Sequence, residues 1–460
     1  MLQVFTKLLA ISPKRSQYQT LKLKIRSREP AFTTRFFSAA ASPPPKKELK
    51  HAVQSGLKVF APFETSNKKN RSLIKNFRLP PYIFHLFPTF DFQINFMKRD
   101  LYIDFAKGFA TLAIIFIHTV FWSGQFYVPT EWRVASLLID VPLFYALSGL
   151  TSGGNVEKTL YRLLKLQITF MIFVTFLFFL DYFFKVFGLN IFGLDWMKSF
   201  YSTFGVKYVP QNISDVPQWQ NLGNWYLHQY TNADTFPVVM GSFWYLKVYF
   251  ILTVFGVLIL RFFPKHLNWF IALCFGLTLI FNLLPQFYPT GQVGYVAFYL
   301  GLFLVAHQLK GKKIPTNAIP ILYGILFIIL IFLFWNFGKE LFMKMNKAKF
   351  PPKLLYIFWS SFSLLTLFVL YNRLKITKNN FITYIGKNAI FYYFAQGMSS
   401  SLVYFLVVPL KDKMEWWILM VLIFVINIAL AVIIAEGLKK LDAFGWRILE
   451  FLRKKTASAR

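Results

Sequence analysis

The sequence predicts an all-α membrane protein, a polytopic bundle of about ten transmembrane helices. Three observations carry that prediction. Of the 460 residues, 56% are hydrophobic and only 15% charged, against about 25% charged in ordinary soluble domains. From about residue 101 to about residue 436, apolar runs of about 20 residues recur, each long enough to cross a hydrocarbon core of about 30 Å as a helix. Lys and Arg cluster between these runs, where such residues set topology and hold anionic headgroups. The formal charge of +32, from 51 Lys+Arg against 19 Asp+Glu, would suggest nucleic acid in a soluble domain. No nucleic-acid motif accompanies it here, so membrane lipids are the expected partner and nucleic acid is not. Cys274 is the single cysteine, which excludes an intrachain disulfide and a multi-cysteine zinc or iron–sulfur site.

Along the chain, residues 1–96 differ from the rest: basic, poor in acids, with a Ser42-Pro43-Pro44-Pro45-Lys46-Lys47 cluster and no run long enough to span. The stretch from Met1 to Phe37 resembles an organellar transit peptide in composition. Met97, directly before Lys98-Arg99-Asp100 and the first span, has the place of an initiator methionine. Residues 1–96 therefore read as a basic disordered extension or a mis-called start, residues 97–440 as the membrane domain and 441–460 as a basic cytoplasmic tail. Spans are expected at roughly 101–123, 134–150, 166–187, 241–262, 267–285, 293–309, 318–337, 354–372, 388–408 and 415–436. With both termini cytoplasmic, Lys158, Arg162, Lys165, Arg261, Lys265, Lys310, Lys312, Lys313, Arg373, Lys375 and Lys378 fall inside, as the positive-inside rule requires. One loop disagrees: Lys339, Lys344, Lys347, Lys349 and Lys353 would lie outside, so either it handles an anionic group or the span count is off by one there. A start at Met97 suits a bacterial inner membrane, whereas an organellar membrane would need the leading segment to be a targeting peptide. The one long connection, about 188–240, is rich in Trp, Tyr, Asn and Gln, including Gln218-Trp219-Gln220-Asn221 and Asn224-Trp225-Tyr226. It reads either as an interfacial aromatic belt or as a surface for sugars.

Ionisable residues are the informative ones in lipid, because each costs a few kcal/mol at the midplane and persists with a partner, a cavity or a function. At about 100° per residue, Asp104, Lys107 and Thr111 fall at about +40°, −20° and +20° from His118, one narrow stripe of the first span. Histidine suits general-base work near neutral pH, although a hydrogen bond to a neighbouring helix would equally account for one. A metal at His118 is not expected, since no second His, Cys or carboxylate stands three or four residues on. Asp140, just before Pro142 in the second span, is placed to pair with Lys107, to orient His118 or to make a plain interhelical bond. Arg162 and Lys165, three apart on one face entering the third span, suit phosphate binding or topology setting.

Taken in order, these segments resemble the acyltransferase-3 family of integral membrane acyltransferases, which includes bacterial surface-polysaccharide O-acetylases. Lys107 and His118 match its first-helix hallmark, Leu143 to Gly149 its phenylalanine-containing stretch ending in Ser-Gly, and Arg162 with Lys165 its basic pair. Later echoes are Gly241 to Leu246, the Lys349-Phe350-Pro351-Pro352 turn, and Tyr384-Ile385-Gly386-Lys387-Asn388 leading to Tyr392. Two departures stand out: Lys165 where Arg is usual, which keeps the charge but loses a bidentate fork, and Gln396 where many members carry His.

The resemblance implies acyl transfer from acyl-CoA, most often acetyl-CoA, to a hydroxyl of a cell-surface glycan or lipid-linked sugar. His118 would be the base or a transient acyl carrier, with Asp104 or Asp140 setting the imidazole and Lys107, Arg162 and Lys165 holding the CoA phosphates. Two other classes remain open from the residues: a proton-coupled transporter or flippase of an anionic solute, and a non-catalytic partner in a membrane assembly.

Overall fold

The computed structural model describes residues 100–121, 126–203, 222–228, 236, 239, 243–289, 291–371 and 373–458. The expectations placed on residues 1–96, on Met97 and on Gln218 to Asn221 lie outside them. Among the described residues all regular structure is helical: α1 (Leu101–Phe121), α2 (Thr130–Ser136), α3 (Pro142–Thr151), α4 (Val156–Thr203), α5 (Leu222–His228), α6 (Trp244–Phe262), α7 (Leu267–Leu283), α8 (Val296–Gln308), α9 (Ala318–Met343), α10 (Met345–Ala348), α11 (Leu354–Leu370), α12 (Phe381–Lys387), α13 (Ala389–Leu410) and α14 (Trp416–Ser458), with short 3-10 turns between. Seven helices there are long and apolar enough to cross a membrane, and two shorter ones, around α8 and at α11, are apolar. The chain is a multi-pass membrane protein.

The expected span at 134–150 is where the structure departs most. Instead of one helix there are α2 and α3, separated by an irregular link that holds Asp140. Pro142 sets the break: it has no N–H to give a preceding helical turn and occupies the first turn of α3, where none is required. Ten residues of α3 reach about 15 Å, half a hydrocarbon core. Such broken helices are tolerated at membrane depth when protein surrounds them. Accordingly Asp140, Val141, Pro142, Leu143, Tyr145, Ala146 and Leu147 are all buried. At the other end of the chain, α14 continues as helix through the expected basic tail to Ser458. α4 likewise runs past its expected end to a change of direction at Gly193, whose φ of 78° is one glycine adopts readily.

Packing around α1 depends on missing side chains. A Cβ on Gly108 would strike the Ile382 carbonyl of α12, and one on Gly386 would strike the Asp104 carbonyl of α1. Two backbones therefore lie against each other, the geometry that small residues permit between membrane helices. α12 is itself fixed by a capping box, in which the Asn380 side chain accepts from the Thr383 amide at 2.9 Å and Thr383 Oγ1 accepts from the Asn380 amide at 2.7 Å. Polar ties complete the bundle. Tyr102 donates to the Leu367 carbonyl at 2.7 Å, joining α1 to α11. Asn427 on α14 donates to Thr119 on α1 at 2.9 Å and to Ser400 on α13 at 3.0 Å, and accepts from Ser399 at 2.6 Å. Thr169 on α4 donates to Asp442 on α14 at 2.8 Å.

Gly386→Ala is expected to force α12 from α1 and to cost about 1–3 kcal/mol or more, the range for overpacking. Gly324→Ala on α9, with open space around its position, is the control. Thermal denaturation of the two variants in detergent checks this: a lowered midpoint for the first and not the second.

Candidate active site

α1 is one continuous helix, and it carries the stripe expected of it. Asp104 and Thr111 are buried, Lys107 and His118 half-buried, and Thr111 Oγ1 donates to the Lys107 carbonyl at 2.8 Å. Nδ1 of His118 is fully buried, while the residue as a whole is half-buried. The continuity of α1 also corrects one expectation. Fourteen residues separate Asp104 from His118, about 21 Å along the axis, so Asp104 is beyond hydrogen-bonding reach of the imidazole. Lys107 lies about 16 Å from it along the same axis.

Asp140 bonds to neither Lys107 nor His118; of the readings offered for it, the interhelical bond is the one the structure shows. Lys349 Nζ donates to its Oδ1 at 2.8 Å and lies 2.7 Å from Oδ2, Tyr356 donates to Oδ2 at 2.8 Å, and the Val141 amide donates to Oδ1 at 2.7 Å. Both carboxylate oxygens are thus occupied, and neither is left for Lys107 or His118. The physical reason is the break before α3, which turns Asp140 toward the segment linking α10 to α11. That segment is held from three sides. Asn282 of α7 accepts from the Leu354 amide at 3.1 Å and donates to the Pro352 carbonyl at 3.2 Å. Phe350 packs edge-on to Trp244 of α6 at 4.9 Å, and the Lys349 ammonium sits 5.8 Å from the Trp244 ring centroid and 5.3 Å from that of Phe350. Tyr356, which donates to Asp140, is buried, as are Tyr145 and Tyr299, whose rings lie 4.4 Å apart.

Lys349 also explains much of the loop that offended the positive-inside rule. It is not a surface charge but the buried counter-ion of Asp140. Lys339, turned outward by the change of direction at Gly338, pairs with Glu131 at 2.8 Å, and Lys344 lies 3.7 Å from Glu340. The lysine's role was legible in principle, since an acid in a span needs a cation and this loop held unassigned ones.

Two polar centres thus stand in the bundle, His118 and the pair of Asp140 and Lys349. The charge of Lys349 acts on His118, and His118 is followed directly by Thr119 of the Asn427 cluster. Gln396 on α13 is fully buried, and neither atom of its amide has a hydrogen-bond partner among the described residues. Arg162 and Lys165 are exposed near the start of α4, with Lys165 set 5.7 Å from the Trp446 ring centroid. Trp225, from the segment read either as an interfacial aromatic belt or as a surface for sugars, is buried against Phe178 at 5.0 Å. Among the described residues no three of His, Cys, Asp and Glu gather into a metal-binding group.

Lys349→Met is expected to destabilise the protein by about 3–5 kcal/mol, because it leaves a buried carboxylate without its cation. The double variant Asp140→Asn/Lys349→Met, which removes both charges, should recover most of that loss. Denaturation midpoints of the three proteins in detergent check the difference.

Comparison with curated proteins finds no match, and comparison with solved structures finds none. The family model described as an acyltransferase domain, acyltransferase-3, matches residues 100–436. That match runs from the foot of α1 into α14 and takes in both polar centres, so the chain belongs to the acyltransferase-3 family of membrane acyltransferases.

Proposed function

We propose that the protein moves an acyl group, acetyl in the first instance, from acyl-CoA to a hydroxyl of a cell-surface glycan or lipid-linked sugar, with His118 as general base. The observation that carries this reading is the half-buried imidazole of His118, with Nδ1 buried, inside a family-matched bundle. A neutral imidazole there accepts the proton of the acceptor hydroxyl as that oxygen attacks the thioester, or carries the acyl group itself between two transfers.

The donor's phosphates and its thioester are separated by the extended pantetheine arm, and the basic residues suit that separation. Arg162 and Lys165 are exposed, and Lys107 stands about 16 Å down α1 from His118, so a phosphate held at that end leaves the thioester free to reach the imidazole. Arg162 offers a planar fork and the two lysines point charges. In this reading the basic end of the bundle faces the cytoplasm, with both termini on that side of a bacterial inner membrane, and the acceptor arrives from the other face.

The test is transfer of label from radioactive acetyl-CoA to the lipid and glycan fractions of inverted vesicles, with His118→Ala as the comparison. The expected result is a loss of about 10²- to 10⁴-fold, the usual contribution of a general base, with insertion unchanged. Equal labelling by the two proteins would remove His118 from the chemistry. A complementary expectation concerns the donor: Arg162→Ala/Lys165→Ala should raise KM for acetyl-CoA while leaving kcat nearly intact, since phosphate binding is shared by ground and transition states.

A further inference from the structure

The proton transfer proposed at His118 makes no use of the Asp140, Lys349 and Tyr356 centre. Yet that centre is built more carefully than a buried carboxylate alone would need. Asp140 is saturated, with Lys349, Tyr356 and the Val141 amide on its two oxygens. Lys349 is not. An ammonium has three N–H donors, and its hydrogen bond goes to Asp140, so at least one donor remains among the described residues. Within the pair only the Lys349 side chain keeps accessible surface, 9% against 0% for Asp140. Aromatic rings of Trp244 and Phe350 wall it in, and its charge acts on His118. A cation so placed, held by a fixed carboxylate in surroundings of low polarity, is preorganised for negative charge that develops during a reaction.

Resting on the acyl-transfer reading, we infer that Lys349 is a catalytic residue whose remaining N–H receives the thioester carbonyl oxygen as it becomes an oxyanion, with Asp140 and Tyr356 as its positioning residues. The acceptor oxygen forms a bond to the carbonyl carbon and its proton passes to His118, while the carbonyl electron pair moves onto the oxygen beside Lys349. When that pair returns, the carbon–sulfur bond breaks and the proton on His118 goes to the departing thiolate. The products are the ester and the free CoA thiol, and both protein groups end as they began.

Steady-state kinetics of the full chain in inverted vesicles with acetyl-CoA test the inference. Asp140→Asn/Lys349→Met leaves no uncompensated buried charge and should insert normally. Its kcat is expected to fall by about 10²- to 10³-fold, the loss that follows removal of one oxyanion donor, with KM for acetyl-CoA unchanged. Lys349→Arg keeps a cation and should restore part of kcat. Tyr356→Phe keeps the ion pair and should lower kcat to a smaller extent, and these two variants decide the matter if the double variant inserts poorly. Full kcat in the double variant, a loss confined to KM, or wild-type kcat in both Lys349→Arg and Tyr356→Phe would overturn the inference. His118→Ala separates the two readings: transfer that needs His118 but ignores the pair removes only the role of Lys349, whereas no His118-dependent transfer removes both.

Discussion

A charge inside a bilayer must carry its own solvent, and the Asp140 to Lys349 pair is the place where this chain meets that constraint. The pair joins the link before α3 to the segment between α10 and α11, two irregular stretches that would be costly against lipid. Each is admissible because the other satisfies it. The remaining ties of those stretches, Asn282 on the Pro352 carbonyl and Phe350 against Trp244, reinforce a position that the ion pair defines.

Around that centre the bundle is held by contacts of another kind. Helices in lipid gain little by burying apolar surface against one another, so close backbone approach and polar ties must do the joining. The Gly108 and Gly386 contact supplies the first, and the Thr119, Ser399, Ser400 and Asn427 group the second. Both involve α1, so the helix that bears His118 is anchored toward both ends of its length, at Gly108 and at Thr119. His118 therefore sits on a helix whose place is fixed, as the general-base role proposed for it requires.

The all-α class and most membrane crossings were legible in the sequence because hydropathy over about 20 residues reports directly on the solvent. The second span was not. Residues 134–150 are apolar whether they cross the membrane or fold back within protein, and hydropathy does not separate the two. Pro142 and Asp140 marked the break, but a window average conceals a pair of residues. On α1, a helical wheel placed Asp104, Lys107, Thr111 and His118 on one face correctly, since periodicity is local. Which residue meets Asp140 is a matter of 209 positions of chain separation, and no local pattern carries that information. The mismatch in loop charge around Lys349 was the trace of it.

An ion pair in a low-dielectric interior is a poor way to gain stability. Desolvating the two charges costs several kcal/mol each, and well-packed apolar residues of similar volume commonly do as well or better. A short break before α3 could be sealed by such residues, as the neighbouring Val141, Leu143 and Leu147 already show by packing fully into the core. The presence of a carboxylate at Asp140 and an ammonium at Lys349 is therefore not explained by what they contribute to folding. It fits the role we infer for Lys349, a fixed positive charge that receives a developing oxyanion. On that inference the fold carries an electrostatically expensive link in the service of the proposed acyl transfer.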